Sequence, residues 1–130
     1  MIRSVFITCL SFLAFVFVSC GPSEEMLMQE TVSEAVKAQA SGDVDRYLQY
    51  ADFGEELDSL HVFLLHSMLA RYKTAVDSKG GVSDIVPKPC TPENDSLAYM
   101  GYTISYNDGT QEHKIAMLVK KDGSWRMRIQ

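Results

Sequence analysis

Three cysteines carry the most readily assigned chemistry in this chain of 130 residues. Cys9 lies inside an apolar N-terminal run, Cys20 ends that run, and Cys90 stands in a proline-rich stretch. A reactive thiol needs a histidine partner and an electropositive setting, and the sequence near Cys90 offers neither. We therefore expect Cys90 to be a buried or inert thiol.

The three histidines are the other candidates for chemistry. His61 falls in the apolar arc of a predicted helix, where a histidine is either a hydrogen-bonded core residue or a functional group. His113 is expected opposite Ile104 near a hairpin end, at the mouth of a pocket. His61 and His66 are five residues apart, not the four that place two imidazoles on one helical face, so no metal site is predicted. The chain has no phosphate-binding glycine loop or nucleophile elbow, and no cofactor is expected.

The charge balance excludes one class of partner. Acidic residues outnumber basic ones by 17 to 12, and the net charge is −5. Because a mildly acidic surface repels phosphates, no nucleic acid partner is predicted.

The first 20 residues have the features of an export signal. Arg3 supplies a positive start, and the apolar run at 5–18 is shorter than the roughly 20 residues that span a bilayer. The run ends in FVSCG at 17–21, which resembles the bacterial lipobox, in which a small residue precedes the lipid-bearing cysteine. Residues 1–19 are thus predicted to be a lipoprotein signal peptide, and an ordinary secretory signal cleaved elsewhere is the alternative.

The lipobox resemblance implies a diacylglyceryl thioether on Cys20, with an N-acyl chain such as palmitate. Each buried methylene contributes about 0.8 kcal/mol, so two or three chains hold a protein durably on a membrane. The predicted partner of Cys20 is therefore a membrane, and the predicted location is the cell envelope, at the outer membrane or cell surface. Residues 20–23 would form a tether to a domain at 24–130. The SEE sequence at 23–25 is either an acidic export tag or a helix start.

Three helices are predicted from apolar residues that recur with a helical period, at 24–39, 44–51 and 55–77. The third helix stops at two glycines and carries two adjacent apolar stripes, which cover close to half of its circumference. Such a wide arc predicts packing on two sides. The stripes are Leu57, Leu60, Leu64, Met68 and Ala75, and beside them Leu65, Leu69, Tyr72 and Val76.

After the helices the period changes to that of strands, weakly at 82–86 and strongly at 97–106, 112–120 and 125–130. A two-residue turn at Asp108-Gly109 would pair Tyr102 with Ile115, and a three-residue loop at 121–123 would pair Met117 with Met127. These registers predict an α+β domain with an antiparallel sheet of about four strands. The predicted inner face comprises Met100, Tyr102, Ile104, Ile115, Met117, Val119, Trp125, Met127 and Ile129.

This order of elements resembles the nuclear transport factor 2-like (NTF2-like) superfamily, a cone-shaped α+β roll. The most specific pieces are SGD at 41–43, residues 72–81 and KDGSW at 121–125. In particular, the chain is similar to small Bacteroidetes-type lipoprotein domains of unknown function in that superfamily, near those labelled lumazine-binding. The resemblance implies a bent sheet wrapped on the long helix and, in many members, a pocket inside the cone.

The fold alone does not select a function. The favoured hypothesis is a non-enzymatic envelope lipoprotein that binds a small apolar ligand or a partner protein. The alternative is a small isomerase or dehydratase of the same fold, although the predicted strand faces offer no inward carboxylate as a base. The candidate pocket-lining residues are His61, Met100, Tyr102, His113, Met117 and Trp125. An ordinary core is the favoured alternative for Met100, Tyr102, Met117 and Trp125.

Overall fold

The computed structural model describes residues 23–129. The predicted signal peptide and Cys20 lie outside these residues. Three helices precede four of the five strands, and all five strands form one sheet in the order β1-β5-β4-β3-β2. The elements are α1 (Glu24–Ser41), α2 (Val44–Tyr50), β1 (Ala51–Asp52), α3 (Ser59–Ser78), β2 (Val82–Pro87), β3 (Leu97–Tyr106), β4 (Gln111–Lys121) and β5 (Ser124–Arg128).

Helix α1 begins where its capping residues dictate. The Ser23 hydroxyl accepts a hydrogen bond from the Met26 N–H at 3.2 Å, and Glu24 and Glu25 occupy the first turn. The Glu24 carboxylate also accepts hydrogen bonds from the Trp125 indole N–H (2.6 Å) and from Lys120 Nζ (2.9 Å). Of the two interpretations of residues 23–25, the helix start is therefore confirmed.

Helix α3 begins at Ser59, so the predicted start at residue 55 is wrong. The physical reason is a cap that lies later in the chain. Asp58 is extended, and its carboxylate accepts a hydrogen bond from the His61 N–H at 2.9 Å. The helix ends before Gly80 and Gly81, as predicted.

The α+β class is confirmed, and two details differ from expectation. A fifth strand, β1, pairs in parallel with β5. The helix that lies along the sheet is α1, which contacts β2, β3 and β5, whereas the long helix α3 packs mainly on α1 and α2. Four residues of α1 are fully buried in this core, namely Met28, Val32, Ala35 and Val36.

The first hairpin differs from prediction by one residue. Ile104 pairs with Glu112 and not with His113, because three residues, 107–109, separate the hydrogen-bonded residues Tyr106 and Thr110 that close the loop. Gly109 has a φ of 89° and the Tyr106 N–H donates to the Thr110 carbonyl at 2.9 Å, the geometry of a turn followed by a bulge.

The second hairpin also differs by one residue, in the opposite direction. Lys121 pairs with Ser124 around a two-residue turn. Asp122 and Gly123 have φ values of 51° and 79°, as a type I′ turn requires. The predicted three-residue loop is therefore wrong.

The one-residue register shifts of the two hairpins have opposite directions, so the predicted inward faces of β3 and β5 are retained. The inward and outward faces of β4, which belongs to both hairpins, are exchanged. The inner face of β4 is formed by Ala116 and the fully buried Leu118, while Ile115 is 76% exposed. The predicted inward positions of Ile115, Met117 and Val119 are therefore wrong.

Candidate ligand-binding groove

An open groove of about 610 Å³ lies between α3, α2 and the end of the sheet. Buried side chains form its floor, among them Leu65, Leu69 and Tyr47. Leu64 and Met68 form an exposed rim. The full lining comprises Gln39, Tyr47, Phe53, Leu57, His61, Leu64, Leu65, Met68, Leu69, Arg71, Tyr72 and Ile129.

The groove exists because α3 is packed on one side only. The stripe that contains Leu65, Leu69 and Val76 is buried, as its apolar spacing predicts. The neighbouring stripe remains open, so the expectation that the helix packs on two sides is wrong. Beyond the groove, Leu60 and Phe63 are 62% and 66% exposed.

Two polar side chains of the lining, His61 and Arg71, lie ten residues apart on α3. His61 is exposed, and its Nδ1 lies 2.7 Å from the Asp58 carboxylate. Hydrogen bonds from the backbone and ring of His61 lower the pKa of Asp58 below its usual range. Arg71 is also exposed, and no acidic side chain belongs to the lining.

A buried carboxylate lies next to one wall of the groove. Asp52 is 9% exposed and accepts hydrogen bonds from Arg128 Nε (2.7 Å), Lys121 Nζ (2.9 Å) and the Gly54 N–H (3.2 Å). Burial opposes its ionisation, but these three donors outweigh burial and lower the pKa of Asp52. The Ile129 N–H donates to the Asp52 backbone carbonyl at 2.8 Å, so the backbone of Asp52 contacts the lining residue Ile129.

A second hollow of about 390 Å³ adjoins the groove and shares Gln39, Tyr47 and Ile129 with it. Tyr102 and Met117 belong to its lining. Burial raises the pKa of both Tyr47 and Tyr102 to about 12, so both phenols are neutral at physiological pH.

The reversed face of β4 brings a carboxylate inward, which corrects the expectation that the strands offer none. Glu112 accepts hydrogen bonds from Lys79 Nζ (3.0 Å) and from the Tyr106 hydroxyl (3.1 Å), and Lys114 Nζ lies 3.3 Å away. These contacts, led by Lys79, lower the pKa of Glu112. An ionised carboxylate with two ammonium partners is a weak proton acceptor, so this cluster has the chemistry of an ion-pair network.

The residues singled out from the sequence do not form one site. His61 lines the groove, Tyr102 and Met117 line the second hollow, and Met100 is fully buried core. His113 does not face Ile104: it pairs with Thr103, whose hydroxyl lies 2.9 Å from His113 Nδ1.

Two further residues do not belong to the groove lining. Trp125 is buried against Glu24 at the start of α1. The Cys90 thiol donates to the Tyr99 carbonyl at 2.9 Å, and burial raises its pKa. A raised pKa makes Cys90 a poor nucleophile, in agreement with its interpretation as an inert thiol.

Sequence reasoning did not single out Arg71, Phe53 or Leu57 as site residues. The feature of the sequence that could have indicated them is the wide apolar arc of α3, because it is wider than a helix needs when only one side is packed. Within residues 23–129 no group of three or more histidine, cysteine and acidic side chains could hold a metal ion. No helix in the same span is both long and apolar enough to cross a membrane.

Comparison with known proteins identifies the fold. No protein-family model and no curated protein sequence matches the chain. A crystal structure from Campylobacter jejuni, of a protein described as a candidate NTF2-like transpeptidase, superposes with a TM-score of 0.65 and 22% sequence identity. The match covers 78% of this chain and 97% of the Campylobacter protein. The protein therefore has the NTF2-like fold.

Proposed function

We propose that this protein is a lipid-anchored envelope protein that binds a small apolar ligand in the groove beside α3. The observation that carries the proposal is the open stripe of α3, which forms an apolar groove without any acidic lining residue. Pockets that bind small molecules are largely apolar, with a few placed polar groups. His61, Arg71 and Gln39 are such groups.

Binding is better supported than catalysis. An isomerase or dehydratase needs a base that accepts a proton near neutral pH. The inward carboxylate of Glu112 has a lowered pKa and lies against Lys79 and Lys114, so it is poorly suited to that role. A protein partner is the second candidate, because Leu60 and Phe63 are exposed outside the groove.

Two exposed leucines on one helix provide a matched test of the groove. Leu64 lines it, whereas Leu60, one turn earlier, does not. Leu64→Asp should weaken binding of the neutral probe N-phenylnaphthylamine at least about tenfold, since a charge in an apolar groove costs more than the 1.4 kcal/mol that tenfold represents. Leu60→Asp should leave the affinity within about twofold of the parent. Probe fluorescence titration measures both.

The background for this test is the full chain with Cys20→Ser, which keeps the whole sequence and cannot be acylated. Circular dichroism would establish that each variant is folded. Absence of probe binding to the parent would refute the groove as a ligand site. Equal losses of probe affinity in Leu64→Asp and Leu60→Asp would indicate that the probe binds the whole exposed apolar face of α3. That result would favour a protein partner.

The proposed anchor would lie at one end of the domain. Only Gly21 and Pro22 separate Cys20 from the capping residue Ser23, a reach of at most about 11 Å. Gln39, which lines the groove, is 15 residues beyond Glu24, or about 22 Å along α1. A lipid on Cys20 would therefore hold the opposite end of α1 at the membrane and leave the groove accessible.

The anchor has its own test. Cys20→Ser should abolish incorporation of labelled palmitate and move the protein from the membrane to the soluble fraction of its host. The measurement is fractionation followed by immunoblotting, with Cys90→Ser as the matched control that should remain in the membrane. If the Cys20→Ser protein stays with the membrane, lipid on Cys20 is not the anchor.

A further inference from the structure

Arg71 stands out among the charged side chains around α3. Lys73, two residues later, lies 2.6 Å from the Asp77 carboxylate, and Lys79 lies 3.0 Å from Glu112. Arg71 has no carboxylate within 4.0 Å anywhere in residues 23–129. It is thus a lining residue of an apolar groove whose positive charge has no acidic partner among residues 23–129.

The groove lining contains a positive side chain and no acidic one, although the protein as a whole is acidic. The chain has a net charge of −5, yet the groove lining includes no aspartate or glutamate. His61 differs from Arg71, because it is bonded to the ionised Asp58. An anionic group would therefore be attracted to the Arg71 end and repelled from the His61 end.

The apolar residues between these ends lie along one helical face. From Arg71, the spacing of three and four residues leads to Met68, Leu64 and His61, a distance of about 15 Å along the axis. A linear aliphatic chain can lie against this row of side chains. The geometry does not require any movement of the helix.

We propose that the ligand is an aliphatic carboxylate whose head group pairs with Arg71 and whose chain lies toward His61. This inference rests on the proposed function and specifies its ligand class. A guanidinium presents paired N–H donors that match the two oxygens of a carboxylate. The same groove disfavours an amphiphile with a cationic head, which Arg71 would repel.

Three probes with the same chain and different heads test the inference: decanoate, decanol and decyltrimethylammonium. Isothermal titration on the full chain with Cys20→Ser should give decanoate an affinity about fivefold higher than decanol, the upper range of an exposed ion pair. Decyltrimethylammonium should bind most weakly. Arg71→Gln should lower decanoate affinity about fivefold and leave decanol unchanged.

Lys73→Gln is the matched control, because it removes a positive charge from the same helix outside the groove lining. It should alter the affinity for none of the three probes. Equal affinities for decanoate and decanol, with no effect of Arg71→Gln, would overturn the inference about the head group. The proposal that the groove binds apolar ligands would be retained. Equal weakening of both probes by Arg71→Gln would also overturn the inference about the head group. If none of the three binds, the inference fails, and N-phenylnaphthylamine binding decides separately whether the proposed function fails too.

Discussion

Asp52→Asn should lower the free energy of unfolding by about 2 kcal/mol at pH 7. Removing one partner from a buried ion pair typically costs about 3–5 kcal/mol, because the remaining charge is left unpaired. The side chains of Lys121 and Arg128 are 45% and 30% exposed, so water can partly solvate them after the change, and we expect the smaller value. Urea unfolding followed by circular dichroism measures the effect.

The cost of Asp52→Asn should depend on pH in a defined direction. The folded pKa of Asp52 lies below its ordinary value of 3.8. A lowered folded pKa contributes stability that is complete above the unfolded pKa and is lost as pH falls through the folded pKa. The difference in unfolding free energy between parent and variant should therefore be constant above about pH 5 and shrink as the pH falls further.

Asp95 provides the control for this charge change, since it is exposed in the turn before β3. Asp95→Asn should alter stability by less than about 0.5 kcal/mol. If Asp52→Asn also lowers the free energy of unfolding by less than about 0.5 kcal/mol at pH 7, the cluster around Asp52 does not stabilise the fold.

Leu118→Ala should lower the free energy of unfolding by about 3 kcal/mol, the largest loss that we predict. Leu118 is fully buried on β4, where it pairs with Ala98 on one side and with Met127 on the other. Truncation removes apolar contacts and leaves a cavity that the neighbouring strands cannot close. Such a loss is a large part of the 5–15 kcal/mol that is typical of a domain.

Ile115→Ala is the matched experiment on the same strand. Ile115 is 76% exposed on the outer face, so its truncation should cost less than about 1 kcal/mol, mostly through β propensity. The registers predicted from the turns alone would give the opposite order, with Ile115 buried and Leu118 outside. A larger loss for Ile115→Ala than for Leu118→Ala would therefore contradict the structure.

The site could be predicted from the sequence only in part. The wide apolar arc of α3 was visible, and it indicated more apolar surface than one packed side needs. Which stripe would be covered was not visible, because that depends on where α1 and α2 pack on α3. Leu65 and Leu69 are buried, whereas Leu64 and Met68 stay exposed among residues 23–129. Arg71 was missed because an unpaired charge is recognised only when all of its spatial neighbours are known.

The sequence by itself determined the order and type of the three helices and of strands β2 to β5, the position of both hairpins, and the inward faces of β3 and β5. These follow from local properties, namely hydrophobic period, capping residues and the Asp-Gly steps at 108–109 and 122–123. An Asp-Gly step, however, suits both a two-residue and a three-residue loop, so it leaves the register open by one residue.

Only the tertiary structure decided that register. In the first loop, the Asn107 N–H donates to the Gly81 carbonyl at 3.0 Å and the Asp108 N–H donates to the Lys79 carbonyl at 2.9 Å. These bonds join the loop to the end of α3, more than 20 residues away in the sequence, and satisfy backbone groups on both sides. Because side chains alternate along a strand, this one-residue choice turns Glu112 and Leu118 inward and Ile115 outward.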